Sequence, residues 1–172
     1  DFDTPAQPTL FDWLGEHGPI PALAQVTKQG FVFVLDRRNG EPLLPIEERP
    51  VATSSIPGEV TSPTQPFPVK PPPLMPTSLA ADEAWGLTFW DRQQCRDKIA
   101  ALNNQGLFTP PSEQPTLMFP GSMGGANWGG GAYLAEQNLL LVNVNVLPFV
   151  GQLIKSTETS SSRDHPTAGQ TM

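Results

Sequence analysis

Cysteine and histidine are almost absent: in 172 residues there is one cysteine, Cys95, and two histidines, His17 and His165. A lone thiol closes no internal disulfide, and so few soft donors form no Cys/His cluster able to hold a structural zinc. Basic residues are scarce too, 10 Lys and Arg against 17 Asp and Glu for a formal charge of -7. This balance leaves no basic footprint for nucleic acid or an anionic membrane surface. Long apolar runs are missing as well. The most apolar stretch, residues 139–150, is broken by Asn143, Asn145 and Pro148, well short of the roughly 20 apolar residues of a membrane helix. The opening Asp1-Phe2-Asp3 has neither the basic nor the apolar region of a secretory leader and no initiator methionine, so the start is expected to be processed or truncated.

Proline and glycine are abundant. The 21 prolines and 15 glycines make up about a fifth of the chain, below the roughly 25–30% that marks disorder, so a loop-rich but folded chain is expected, with one domain as the prior for this length. Residues 22–26 and 31–35 read as two β-rich runs around the link Thr27-Lys28-Gln29-Gly30. A second turn at Asn39-Gly40 suits positive φ, and Glu41–Leu44 reads as the start of a third strand, completing an antiparallel meander. The unbroken apolar run Phe31–Leu35 predicts a strand covered on both faces.

Residues 42–76 hold 11 of the 21 prolines. Each removes a backbone donor, which predicts no regular sheet there. Ile56, Val60, Phe67, Val69, Leu74 and Met75 are more apolar than a solvated linker requires, so the segment is expected to pack over a core. A helix is predicted over 88–104, with a packing role, and strands over 116–119, 132–134 and 139–146. From Ser156 the composition predicts a mobile Ser/Thr-rich segment, leaving 1–155 as the folded domain. No strand-helix-strand series appears, so an all-β sandwich or propeller is favoured.

Six glycines in residues 121–131 invite a phosphate-binding reading. The run lacks both the GxxxxGK[ST] and GxGxxG spacings, and no helix follows to hold an anion. Such a run lets backbone pass close to another backbone or a flat ligand, with Trp128 as a packing or stacking group. There is no GxSxG elbow for a serine hydrolase. Paired-carboxylate chemistry stays open, since Asp1, Asp3, Asp12, Asp82 and Glu83 could meet in space. Lys28 sits in a tight link between apolar strands, where it either points its ammonium at a ligand or decorates an exposed turn. Asn143 and Asn145, if buried, need hydrogen-bond partners from the protein or from a ligand.

Several strings, taken in order, resemble one family. They are residues 1–10 (DFDTPAQPTL), Lys28 with 31–41 (FVFVLDRRNGE), 63–67 (PTQPF), 108–114 (FTPPSEQ), Trp128-Gly129-Gly130, and Asn143 through Leu147-Pro148-Phe149. The family is the quinoprotein dehydrogenases that use pyrroloquinoline quinone, within it the membrane-bound glucose dehydrogenase group. The resemblance runs from Asp1 to about Ile154. It implies an all-β fold, part of an eight-bladed β-propeller of which this chain supplies a few blades, with long Pro-rich loops and one short helix.

The resemblance also implies roles. Asp1 matches the general base, Lys28 a quinone-contacting lysine, and Asn143 a cofactor-contacting asparagine. A calcium or magnesium ion is implied beside the quinone, with ligands that the resemblance does not assign to this chain. The implied partners are an alcohol or sugar substrate, ubiquinone as electron acceptor and the remaining blades, on the periplasmic side of a bacterial inner membrane. The competing reading is a non-catalytic propeller scaffold, which would be expected to have lost Asp1, Lys28 and Asn143; all three are present.

Overall fold

The computed structural model describes residues 2–155 and the backbone of Gln170–Thr171. In chain order the strands are β1 (Thr9–Gly15), β2 (Gly18–Val26), β3 (Val32–Asp36), β4 (Ile46–Pro50), β5 (Thr64–Pro68), β6 (Thr116–Met118), β7 (Gly131–Leu134), β8 (Leu139–Val142), β9 (Phe149–Leu153) and β10 (Gln170–Thr171). One helix, α1 (Phe89–Ala100), follows a 3-10 turn at Ala81–Glu83. The all-β expectation with one short helix holds. The chain divides into two compact units, one running up to Pro50 with Thr64–Thr77 and Pro120–Leu147, the other made of Val51–Pro63, Ser78–Phe119 and the chain from Pro148 onward.

In the first unit β1, β2 and β3 form an antiparallel meander in that order. The meander therefore starts one strand earlier than predicted. Glu41–Leu44 is no strand: it contributes one bridge, Leu35 to Pro42, and a Leu43 N–H bond to the Val34 carbonyl. Pro42 lies within this piece and Pro45 follows it, and both deny it donors that a ladder needs. Period-two alternation puts Ala22, Ala24, Val26, Val32 and Val34 on one buried face. Phe11, Trp13, Leu43, Leu44, Leu140 and Val142 pack against this core. The opposite face is only partly covered, with Phe33 and Leu35 half-buried and Leu10 and Leu14 exposed. The run Phe31–Leu35 is thus fully covered on one side rather than two.

The exclusion of regular sheet from residues 42–76 is overturned by β4 and β5, which pair antiparallel despite Pro50, Pro66 and Pro68. The register explains how. Val69 N–H bonds the Pro45 carbonyl at 2.9 Å, so by alternation Ile46–Pro68, Glu48–Pro66 and Pro50–Thr64 are non-hydrogen-bonded pairs. Every strand proline then sits where its missing N–H faces away from the partner. Of the six apolar residues expected to pack, Met75 is buried and Phe67 and Ile56 are half-buried, while Val60, Val69 and Leu74 are exposed.

The second pair of the first unit, β7 with β8, ends at Val142 opposite Gly131. The strand predicted to reach Val146 is therefore shorter, because β7 supplies only four partners. In the second unit β9 lies between β10 and β6. The run that forms β9 carries no alternation and contains Gly151, so it was not foreseen. The Ser/Thr-rich segment predicted from Ser156 lies outside the described residues except for β10, whose backbone pairs with β9. Helix α1 begins at a capping box in which the Thr88 hydroxyl accepts the Asp91 N–H at 3.2 Å and the Asp91 carboxylate accepts the Thr88 N–H at 3.2 Å. None of its residues is buried, and Phe89 and Trp90 are 75% and 78% exposed. The packing role expected for it is not seen.

The turn after β3 is closed by Asp36. Its carboxylate accepts the Arg38 backbone N–H at 2.9 Å and the Arg38 guanidinium at 3.0 Å and 2.6 Å. Gly40, at φ 78, returns its N–H to the Asp36 carbonyl at 2.7 Å. Those Arg38 side-chain bonds, then its backbone N–H, hold the Asp36 carboxyl below its usual value against the opposing effect of burial. A carboxyl whose pKa falls on folding stabilises the fold fully above its unfolded value, and that contribution is lost as pH drops through the folded value. Asp36→Asn should therefore lower the melting temperature at pH 7. The gap from wild type should close in melts run below about pH 4.

Candidate functional site

The site is built on the link between β2 and β3. Thr27 is buried, its N–H bonds the Phe31 carbonyl at 3.0 Å, and its hydroxyl accepts the Phe31 N–H at 3.2 Å. Gly30, at φ 80, closes the turn by donating to the Thr27 carbonyl at 2.9 Å. Lys28 and Gln29 are thus held at the apex of a fixed loop. The Lys28 side chain is only 13% exposed, and its Nζ lies 3.1 Å from Asp3 Oδ2. An exposed, decorative lysine is not what the fold presents. The neighbouring Gln29 Nε2 reaches the Phe2 carbonyl at 3.4 Å, while its Oε1 is buried with no partner among the described residues.

The glycine-rich run meets this loop edge on. Gly125 N–H donates to the Lys28 carbonyl at 2.6 Å, and the Gly125 carbonyl accepts the Asn145 N–H at 2.7 Å. The chain after β8 is in this way joined to the β2–β3 link through one buried glycine. Met75 packs under the same point: a side chain on Gly125 would collide with its sulfur, and one on Gly30 would lie 2.6 Å from its Cγ. Leu74 N–H fastens this segment to the Gly30 carbonyl at 2.8 Å. The expected close passage of backbone past backbone is observed. Trp128 neither packs nor stacks within the unit, being 84% exposed, while Asn127 shapes the loop by donating to the Met123 carbonyl and accepting the Trp128 N–H.

Of the three residues singled out from the sequence, Asp1 lies outside the described residues. Lys28 stands at the centre of the cluster. Asn143 is exposed, one residue beyond β8, and it is Asn145, half-buried, whose backbone ties into the glycine turn. Among the other acids considered, Asp3 faces Lys28 and Asp12 faces Arg37 at 3.9 Å, so each meets a cation rather than a second carboxylate. Sequence reasoning missed Asp3, Gln29 and Met75 as members of the site. Only the Asp-x-Asp spacing at the start carried any trace of Asp3.

Among the described residues no group of three or more His, Cys, Asp or Glu is placed to hold a metal ion. No helix among them is long and apolar enough to cross a membrane. A separate cavity of about 650 Å³ lies in the first unit between Phe11, Trp13, Val34, Leu140 and Pro71. Its walls are apolar and Lys70 is its charged group, so it offers no acid-base pair.

The sequence profile of the family described as PQQ, glucose/ethanol/alcohol dehydrogenase, beta-propeller domain, matches residues 1–172. The glycerol dehydrogenase large subunit of Gluconobacter oxydans is 43% identical over 157 residues, covering 90% of this chain and 21% of that protein. The quinoprotein glucose dehydrogenase of Escherichia coli is 41% identical over 155 residues, 90% of this chain and 19% of its own. The quinate/shikimate dehydrogenase (quinone) of Acinetobacter baylyi is 40% identical over 158 residues, with 91% and 20% covered. The chain spans about a fifth of the length of these curated relatives. No solved structure matches it.

The packing of Met75 under Gly125 makes a specific expectation. Gly125→Ala should lower the melting temperature, since the new methyl meets the Met75 sulfur and, at 3.3 Å, the Gly30 Cα. In a Met75→Ala background the same substitution should cost much less, as coupled neighbours do in a double-mutant cycle.

Proposed function

Because the chain belongs to the PQQ glucose/ethanol/alcohol dehydrogenase β-propeller family, we propose that it forms part of the active site of a quinoprotein dehydrogenase acting on a sugar, polyol or other alcohol. The observation that carries the reading is the convergence of a mostly buried lysine, a carboxylate and a floor of buried glycines at one loop. A quinone asks for a cation at the oxygen that gains negative charge and for an acceptor for its ring N–H. Lys28 supplies the first and the unpartnered Gln29 Oε1 the second, while Gly124 and Gly125, filled in by the Lys28 stem and by Met75, hold the loop that carries them. These residues fit the group. No cluster of metal ligands accompanies them among the described residues, so we assign no metal ligand to this segment and leave the calcium or magnesium ion to the rest of the propeller.

When bound, pyrroloquinoline quinone supplies an electrophilic carbonyl carbon able to accept a hydride. Asp1, in the base role, would hold and take the proton of the substrate hydroxyl as the alcohol is oxidised to a carbonyl. Lys28 would donate a hydrogen bond to the quinone oxygen that gains negative charge, an interaction strongest where water is excluded. The mostly buried state of its side chain suits that task. Asn143, exposed one residue beyond β8, would orient the ring system. Electrons pass onward to ubiquinone, and the enzyme works on the periplasmic side of the inner membrane. The relatives carry the names of glucose, glycerol and quinate/shikimate dehydrogenases, and the substrate here belongs to the same broad class of hydroxyl compounds.

In the full-length protein, Lys28→Ala should reduce quinone-dependent turnover about a hundredfold or more while shifting the melting temperature little. Equal, modest losses in both would instead support a non-catalytic propeller segment. Asp1→Asn should leave quinone binding intact, measured by fluorescence titration, yet abolish alcohol oxidation. Retained turnover would remove Asp1 from the base role.

A further inference from the structure

We propose that Gly124 is a positioning residue for Lys28, a role that rests on the assignment of Lys28 to the quinone. Gly124 is buried and adopts φ 76, a conformation other residues rarely take. A Cβ at this position would lie 2.5 Å from Lys28 Cγ, 2.6 Å from its Cβ and 2.8 Å from its Cα. The glycine therefore presses its bare backbone along the whole base of the lysine side chain. Its neighbour Gly125 holds the Lys28 carbonyl at 2.6 Å, and Asp3 holds the ammonium at 3.1 Å.

Three contacts thus act on three parts of one residue: backbone, stem and tip. A lysine side chain has four rotatable bonds and loses much rotamer freedom when fixed. Here the stem is confined by contact before any ligand arrives, so the direction of the ammonium is set by the glycine turn. Asp3 alone would not do this, because it is 58% exposed and an exposed ion pair contributes little. Elsewhere in the same run a Cβ on Gly125 would meet Met75 and one on Gly129 nothing within 4 Å.

The test is a double-mutant cycle in the full-length protein, read by titration with pyrroloquinoline quinone and by thermal melting. Gly124→Asn is the chosen variant because asparagine tolerates positive φ, which leaves the collision with Lys28 as the main change. It should weaken quinone binding about tenfold, and it should add no further loss in a Lys28→Ala background. Gly129→Ala should bind as wild type does. Independent, additive losses from Gly124→Asn and Lys28→Ala would overturn the proposal, and so would undiminished binding in Gly124→Asn. Failure of both Gly124→Asn and Gly124→Ala to fold, with Lys28→Ala folded, would make the residue a folding determinant and overturn it as well. Wild-type binding in Lys28→Ala would instead defeat the functional reading on which the proposal stands, an outcome separate from additivity.

Discussion

The site depends on one close approach, the passage of Gly124 and Gly125 across the loop between β2 and β3. A Cβ on Gly124 would lie 2.8 Å from the Lys28 Cα and one on Gly125 would collide with Met75, so this approach requires glycine, and Gly125 bonds the Lys28 carbonyl at 2.6 Å. Three stretches distant in sequence meet at that point: the lysine loop, the glycine run and the residues after β8. Met75 fills the space beneath, bringing in the end of the proline-rich segment. A larger residue at either glycine would separate all four. The geometry of the lysine is thus a consequence of what the glycine run lacks.

Much of this was legible from the residues, and the reasons for the misses are physical. The apolar run before Asp36 and the Gly30-containing link at 27–30 announced β3 and its hairpin with β2, and the glycine density announced a close approach. Lys28 was marked by its place in a four-residue link. By contrast, β1 has alternating half-exposed residues and gives a weaker period than the strands it covers. β4 and β5 were hidden because proline was read as a sheet breaker without regard to register, although a two-stranded ribbon leaves every second N–H unpaired in any case. That Asp3 and Gly124 would meet Lys28 was not legible. Asp3 lies 25 positions away and Gly124 nearly a hundred, separations that no local pattern encodes.

The exposed apolar groups show a second constraint. Leu10 and Leu14 stand on the open face of the meander, and Trp85, Leu87, Phe89 and Trp90 are each more than 70% exposed around the start of α1. Scattered apolar residues at a surface need no explanation, but four within six positions exceed that background. β1 is an edge of its three-stranded sheet, whereas the outer side of β3 is bonded in part by Glu41 and Leu43. A chain that spans about a fifth of its relatives is expected to show such surfaces, since the apolar area of a propeller blade is covered by the blades on either side of it.

Charge ties these features together. The chain is acidic overall, at -7, yet the glycine floor carries a cation above it, and the carboxylate that balances this cation is the more exposed member of the pair. Solvent screening weakens the grip of Asp3 on the ammonium, whereas the contacts along the lysine stem do not depend on ionic strength. Screening of the Asp3 contact therefore leaves the lysine stem held by the glycine turn. The steric constraint fixes where the charge sits, and the electrostatic one remains adjustable. A lysine held by its carboxylate alone would lose its direction as salt screened that carboxylate, whereas one confined along its stem keeps it.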